Sequence, residues 1–281
     1  MTRRRDLRGQ VVLLTGATGG LGEQVAAELA ARGARLGLFA RDGAAASALA
    51  GRVAAPGAAL GGSADVQDLA SLERAAAEVV ERFGRIDAVI AAAGVESTTP
   101  AATTPEERFV RDVDVNLTGV WRTYRATVAH LVSSRGYFLA VASLAAFVHS
   151  PLQSSYTAGK AGVWALCDSI RLEVRHRGVD VGLLAPTFFA TPMLETMQAD
   201  PAIGAVWGGN RRGIWRTVTR EEVVAGVVRA LERRSRQVVV PGRFALAAWA
   251  PGLVQAVVER AGLDRRAIAS ALDAAEAEGR R

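Results

Sequence analysis

Apolar residues in this chain come in short runs of strand length, each followed by an alanine-rich stretch whose apolar positions recur at helical spacing. The runs are continuous rather than alternating, as expected for strands covered on both faces. Strands are expected at Val11–Thr15, Arg35–Ala40, 58–63, 86–92, 137–142, 179–185 and Gln237–Val240, the third being weak. Helices are expected at 20–32, 44–53, Leu69–Phe83, 105–132, 154–176 and 219–232. The 105–132 segment reads as one long helix, with Thr104 as its candidate start. Thr219 and Glu222 have the spacing of a capping box at the start of the last helix. This alternation predicts one doubly wound α/β domain over residues 1–242: a parallel seven-stranded sheet with helices on both faces. Residues 243–281 form a tail with two short helical patterns, about 253–260 and 264–278, the second rich in alanine and charge and open to disorder at its end.

Composition narrows the picture. Half of the 281 residues are hydrophobic, enough for a substantial core. The single cysteine, Cys167, excludes an internal disulfide framework and reads as inert core in an apolar helix. No apolar run reaches the roughly 18 residues of a membrane span. The N-terminal Arg3, Arg4 and Arg5 are followed by Asp6, Arg8 and Gln10, not by an apolar signal segment, so a cytoplasmic protein is expected. Net charge is +6, but the arginines are scattered and no basic face alternates with aromatics. Nucleic-acid binding is therefore not expected, and an anionic cofactor is the simpler account of the charge. No metal site is expected.

Two features carry chemistry. The first predicted strand runs into Thr15-Gly16-Ala17-Thr18-Gly19-Gly20-Leu21-Gly22 and then into a helix. Glycines let a backbone approach a pyrophosphate, and the helix N-terminus offers unpaired N–H groups and a favourable dipole. The second feature is the only lysine, Lys160, among 34 basic residues, four positions after Tyr156. That spacing stacks the two on one helix face. An ammonium beside a phenol favours the phenolate, lowering its pKa from about 10 toward a range useful for proton transfer. Arginine, with a different shape and reach, would substitute poorly.

Together these motifs resemble the short-chain dehydrogenase/reductase family, in its single-domain branch, over about residues 8–242. Thr15, Gly16, Gly20 and Gly22 match its glycine pattern, and Tyr156 and Lys160 match its Tyr-x-x-x-Lys pair. Ser143, thirteen residues before the tyrosine, and Asn116, one of only two asparagines, occupy its serine and asparagine positions. The resemblance implies a Rossmann fold and hydride transfer between a nicotinamide and a carbonyl or alcohol. Tyr156 would act as acid or base, with Lys160 tuning it and binding the nicotinamide ribose. Ser143 would bind the substrate oxygen, and Asn116 would hold a water linking Lys160 to solvent. It also implies cofactor contacts at Thr18, Leu21, Ala93, Gly94, Pro186 and Thr191, with Asp65 and Val66 at the adenine. Asp65 reads equally well as a helix cap. Family members commonly form homo-oligomers through helices matching 105–132 and 154–176, where Trp121, Val128, Leu131, Val163, Leu166 and Ile170 are apolar.

The chain also departs from the pattern. Ala91-Ala92-Ala93-Gly94 replaces Asn-Asn-Ala-Gly, Pro186-Thr187 replaces Pro-Gly, and Ala146 replaces a glycine after the serine, which would reshape the substrate pocket. The second strand ends in Phe39-Ala40-Arg41-Asp42, without the acid that takes both ribose hydroxyls in NAD-preferring relatives. Arg41 is placed to meet a 2′-phosphate, favouring NADP(H) over NAD(H); its other reading is the start of a solvated loop. The segment 187–218 has no clear period and contains Phe188, Phe189, Met193, Met197, Trp207 and Trp215, either an apolar lid over a hydrophobic substrate or ordinary packing. His149 reads as a pocket-mouth or plain loop residue. Phe244, Trp249 and Leu253 could cover the pocket, meet a partner subunit or touch a membrane surface. The leading expectation is an NADP(H)-dependent oxidoreductase, and the alternative is a non-catalytic cofactor sensor on the same fold, which would not need the Asn116, Ser143, Tyr156 and Lys160 set.

Overall fold

A computed structural model of the chain describes residues 4–189, 217–262, 266 and 268–273. Its strands are β1 (Val11–Thr15), β2 (Arg35–Ala40), β3 (Ala59–Ser63), β4 (Ala88–Ala91), β5 (Tyr137–Val141), β6 (Asp180–Pro186) and β7 (Gln237–Val240). They form a parallel sheet in the order β3-β2-β1-β4-β5-β6-β7. The helices are α1 (Gly22–Ala31), α2 (Gly43–Val53), α3 (Leu69–Phe83), α4 (Glu106–Val113), α5 (Gly119–Ser134), α6 (Ser154–Val174), α7 (Arg220–Arg233), α8 (Ala245–Trp249) and α9 (Pro251–Val257).

Successive strand side chains alternate between faces, so each central strand feeds two cores. In β1, Val11 and Leu13 join a cluster with Leu72 and Val79 of α3, Val120 of α5 and Val163 of α6. Val12 and Leu14 face the other way, against Val25 and Leu29 of α1, Leu49 of α2 and Val223 and Val227 of α7. The continuous apolar runs thus follow from burial on both faces. The tail belongs to the first cluster: Ala247, Ala248 and Val258 are buried in it, with Phe244 and Val254 packed alongside. Trp249 and Leu253 point to solvent, at 85% and 66% exposure.

The expected 105–132 helix is two helices. A π-helical turn, Asp114–Thr118, separates α4 from α5. A π turn inserts one residue into the helical ladder and often marks a functional site. Most of the apolar residues read as a subunit face on these helices serve this chain's own core. Leu131, Val163 and Ile170 are buried in this chain's own core, and Val128 and Leu166 pack against it. The large apolar residues left exposed on α4, α5 and α6 are Phe109, Val110, Trp121 and Leu172.

Sheet order reverses at the β1–β4 boundary. In open parallel sheets a crevice forms there, outside the carboxyl ends of the strands. The residues just beyond β1, β4, β5 and β6 line one cavity of about 490 Å³ at that crevice.

Candidate active site

The floor of the cavity is the turn after β1. Gly16 has φ +70°, which favours glycine. It also lies so close to the β4 loop that a Cβ there would sit 2.7 Å from the Ala93 nitrogen. At Gly22 a Cβ would meet the Gly16 carbonyl oxygen at 2.2 Å, so this helix must start on a bare backbone. Helix α1 has no side-chain cap. The amides of Gly20, Leu21 and Gly22 donate to no backbone carbonyl among the described residues, while the Glu23 amide is the first to close the ladder, on Gly19. These open donors sit at the positive end of the helix dipole, facing the cavity. Across the cavity Thr187 carries a buried hydroxyl with no partner. Open amides, a turn that excludes side chains and an unsatisfied hydroxyl fit an anionic dinucleotide.

Three of the four residues expected to do chemistry form one wall. Ser143 ends β5's extension and caps the short turn Leu144–Ala146, its hydroxyl accepting from the Ala145 amide at 3.1 Å. It also hydrogen-bonds the Tyr156 phenol. Tyr156 and Lys160 lie in the first turns of α6, with the ammonium 5.5 Å from the Tyr156 ring centroid. Lys160 is 4% exposed and donates to the Val141 carbonyl at 3.1 Å. Burial lowers its pKa to about 8, against an opposing pull from the Glu96 carboxylate. The start of α6 is held by Ser155, whose hydroxyl donates at 2.9 Å to the fully buried carboxylate of Asp112 on α4.

The phenol does not behave as the Tyr-Lys spacing suggests. Its pKa is raised, first by burial and then by Glu96, and the Ser143 hydrogen bond only partly opposes this. Desolvation penalises the phenolate more than the neighbours stabilise it. In these residues alone Tyr156 is a firmly protonated acid.

Asn116 lies on the π turn and is fully buried. Its side-chain oxygen accepts from the Val95 amide at 3.2 Å and its amide donates to the Val95 carbonyl at 2.8 Å. Both ends of the side chain therefore clamp the β4 loop. Beside it runs Gly94, where a Cβ would sit 3.0 Å from the Asn116 oxygen and 3.5 Å from the Lys160 ammonium.

Of the residues read for cofactor contact, Gly16, Thr18, Gly20, Leu21, Gly22, Gly94, Tyr156, Lys160 and Pro186 line the cavity. Thr15, Arg41, Asp65, Val66 and Ala93 do not. Thr15 is buried beneath the turn with an unpartnered hydroxyl. Arg41 is exposed at the end of β2. Asp42 beside it is committed as the N-cap of α2, accepting from the Ala45 amide at 2.9 Å. Asp65 accepts from the Gln67 amide at 2.9 Å, while the cap of α3 is Asp68. Val66 is buried, and its carbonyl accepts from Arg122 at 3.3 Å. Thr191, Met193, Met197, Trp207 and Trp215 lie outside the described residues. Phe188 and Phe189 line the cavity, with Leu144, Ala145 and Val148. His149 and Ala146 instead face a second cavity of about 480 Å³ under α9, and the His149 amide donates to Gln255 at 2.8 Å.

Sequence reasoning overlooked Glu96 and Gln153, both in the main cavity. The available signal was position: Glu96 follows the β4 turn at a strand's carboxyl end, where ligands bind in such sheets. Its pKa is raised to about 7, chiefly by burial, with Gln153 and Lys160 opposing and Asp112 adding to the rise.

Comparison with known proteins agrees with this geometry. The family model for short chain dehydrogenase matches residues 10–202. A 3-oxoacyl-[acyl-carrier-protein] reductase of Synechocystis sp. is 32% identical over 200 residues, covering 70% of this chain and 81% of that protein. A 2-dehydro-3-deoxy-L-rhamnonate dehydrogenase (NAD(+)) of Sphingomonas sp. is 32% identical over 191 residues, covering 67% and 76%. The crystal structure of gox2181 superposes with a TM-score of 0.76 at 24% identity, over 83% of this chain and 94% of that one, a likeness of fold. With its parallel sheet, bare-backbone turn and Tyr156–Lys160 helix, the chain belongs to the short-chain dehydrogenase family, whose members are oxidoreductases that bind a nicotinamide cofactor.

Proposed function

We propose that the protein is an NADP(H)-dependent oxidoreductase that interconverts a carbonyl and an alcohol on a substrate with a largely apolar body, and that it works in the cytoplasm. The observation that carries this reading is the shared cavity: Ser143, Tyr156 and Lys160 on one wall, the open Gly20–Gly22 amides on the floor, and Leu144, Val148, Phe188 and Phe189 around the remaining space. No described helix is long and apolar enough to cross a membrane.

The floor amides would hold the pyrophosphate, Lys160 and Thr187 would face the nicotinamide end, and Arg41 would meet the 2′-phosphate. The bound cofactor supplies the hydride. The protein's own residues handle the oxygen and its proton. Ser143 lies within hydrogen-bond reach of Tyr156, so a carbonyl oxygen set between the two hydroxyls is polarised by both. In the reductive direction Tyr156 donates its proton to that oxygen as negative charge develops, and its raised pKa keeps the proton in place until then. Lys160, buried beside the ring, stabilises the phenolate that remains and titrates near 8, so it can pass a proton on at neutral pH. Asn116 braces the Val95 backbone, whose neighbours Gly94 and Glu96 line the same cavity.

The test is loss of NADPH absorbance with a panel of ketones, aldehydes, quinones and 3-oxoacyl thioesters. Turnover of an apolar ketone that stops in Tyr156→Phe supports the reading. Cofactor binding with no turnover across the panel in either direction overturns it.

A further inference from the structure

The lining of the cavity includes one acidic side chain, Glu96, and that carboxylate is oriented. Glu96 Oε1 accepts a hydrogen bond from the Gln153 side-chain amide. Gln153 is itself 4% exposed, and its oxygen accepts from the Ser150 hydroxyl, so the donor is fixed in direction. Ser150, Gln153 and Glu96 all line the cavity that contains Ser143 and Tyr156. The second Glu96 oxygen makes no hydrogen bond among the described residues, yet it is not sealed in the core, because Glu96 is only partly buried and opens on the cavity. A half-buried acceptor with one held and one open oxygen is a recognition group: a ligand that displaces water from the open oxygen and leaves it unpaired forfeits its desolvation.

Resting on the oxidoreductase reading above, we propose that Glu96 selects substrates carrying a hydroxyl group near the reacting carbonyl, whose O–H donates to the open Glu96 oxygen while Tyr156 and Ser143 hold the carbonyl. A substrate with a carboxylate at that place is repelled. An otherwise apolar molecule with one hydroxyl matches the wall of Leu144, Val148, Phe188 and Phe189.

The groups facing Glu96 are Lys160 and Tyr156 from α6 and Asp112 from α4. Lys160 favours the carboxylate and Asp112 disfavours it, while Tyr156 remains neutral. Because Glu96 titrates near 7, its pull on a hydroxyl strengthens as pH rises through that value, below the Lys160 titration near 8.

The experiment measures kcat/KM with NADPH for ketones bearing a hydroxyl at successive positions, each paired with its methyl ether. For at least one pair the wild type is expected to prefer the hydroxyketone on the order of 10-fold. The preference should grow as pH rises through about 7. Glu96→Leu should abolish it. Glu96→Gln should keep a weaker preference with no pH dependence, which decides the matter if the leucine variant fails to fold. No preference in any pair, survival of the preference in Glu96→Leu, or the same pH dependence in Glu96→Gln as in wild type overturns the assignment. Failure of wild type to reduce any ketone overturns the oxidoreductase reading itself, and this assignment with it.

Discussion

Lys160 in the cavity and Arg41 at the end of β2, outside the cavity lining, hold charge in opposite ways. At the Tyr156 end the ammonium of Lys160 is almost wholly buried, faces the Val141 carbonyl, and shares its surroundings with Glu96. At the Arg41 end the cation is exposed beyond β2, its backbone carbonyl accepts from Ser63 at 3.0 Å, and its guanidinium makes no ion pair among the described residues. Burial makes the first end sensitive to shape and proton count, because each charge there is poorly screened. Exposure makes the second end a single charge that acts through solvent and loosens with salt. Between them, Gly16 and Gly22 leave no room for a side chain, and there the decisive quantity is space.

The largest effect should come from the buried end. Tyr156→Phe removes the proton and little volume, so turnover should fall about 10²–10⁴-fold while NADPH binding, measured by fluorescence titration, stays nearly intact. A parallel loss of binding would show that the two ends are not separable. Lys160→Arg tests shape at constant charge. The ammonium is enclosed, with Gly94 and Val141 beside it. A planar guanidinium does not fit that space, and turnover should fall by roughly 10²-fold; a rate near wild type would mean that charge alone matters there.

At the exposed end, Arg41→Ala should raise the KM for NADPH by roughly 10–150-fold, the equivalent of about 1.5–3 kcal/mol, and leave that for NADH almost unchanged. The discrimination should shrink with added salt. Equal weakening of both cofactors, or a wild type that prefers NADH, would show that another group reads the ribose. Gly22→Ala probes the floor between the ends: its Cβ would fall 2.2 Å from a carbonyl oxygen, and overpacking of this kind costs about 1–3 kcal/mol. Thermal denaturation should register a fall of roughly 2–4 °C per kcal/mol, with weakened binding of both cofactors.

The smallest effect sharpens the buried end. The folded pKa of Glu96, about 7, lies above its ordinary 4.5, so the folded state holds that proton more tightly. Its contribution to stability is greatest below pH 4.5 and is lost as pH rises to about 7. Glu96→Gln lacks this titration and should gain on wild type over that window in denaturant midpoints. A constant difference would place Glu96 in water.

Much of this architecture could be read from the chain. The bounds of β1, β2, α3 and β7 fell where they were expected, because glycine, Asp68 and Pro241 punctuate them and apolar runs fill them. The Thr219–Glu222 capping box formed as its spacing implied. The break at Asp114–Thr118 was hidden, since no proline interrupts the period and the partner that Asn116 grips there, the Val95 backbone, is distant in sequence. Leu131, Val163 and Ile170 misled because periodicity shows that a helix has an apolar face and not what covers it. Glu96 and His149 exchanged expected importance for a related reason: which loop residue turns into a cavity depends on the loops around it, not on its neighbours in sequence.

The π turn also acts as a phase shift. A helix advances about 100° per residue, so the extra residue in Asp114–Thr118 rotates everything in α5 relative to α4 by that angle. Helix α4 can then face α6 while α5 faces α3, although the two are continuous in chain. Chain length here is an angular setting: deleting one residue from this turn would shorten the protein by 1.5 Å of helix, yet it would turn Asn116 away from Val95 and swing Tyr124 and Thr127 out of the core together.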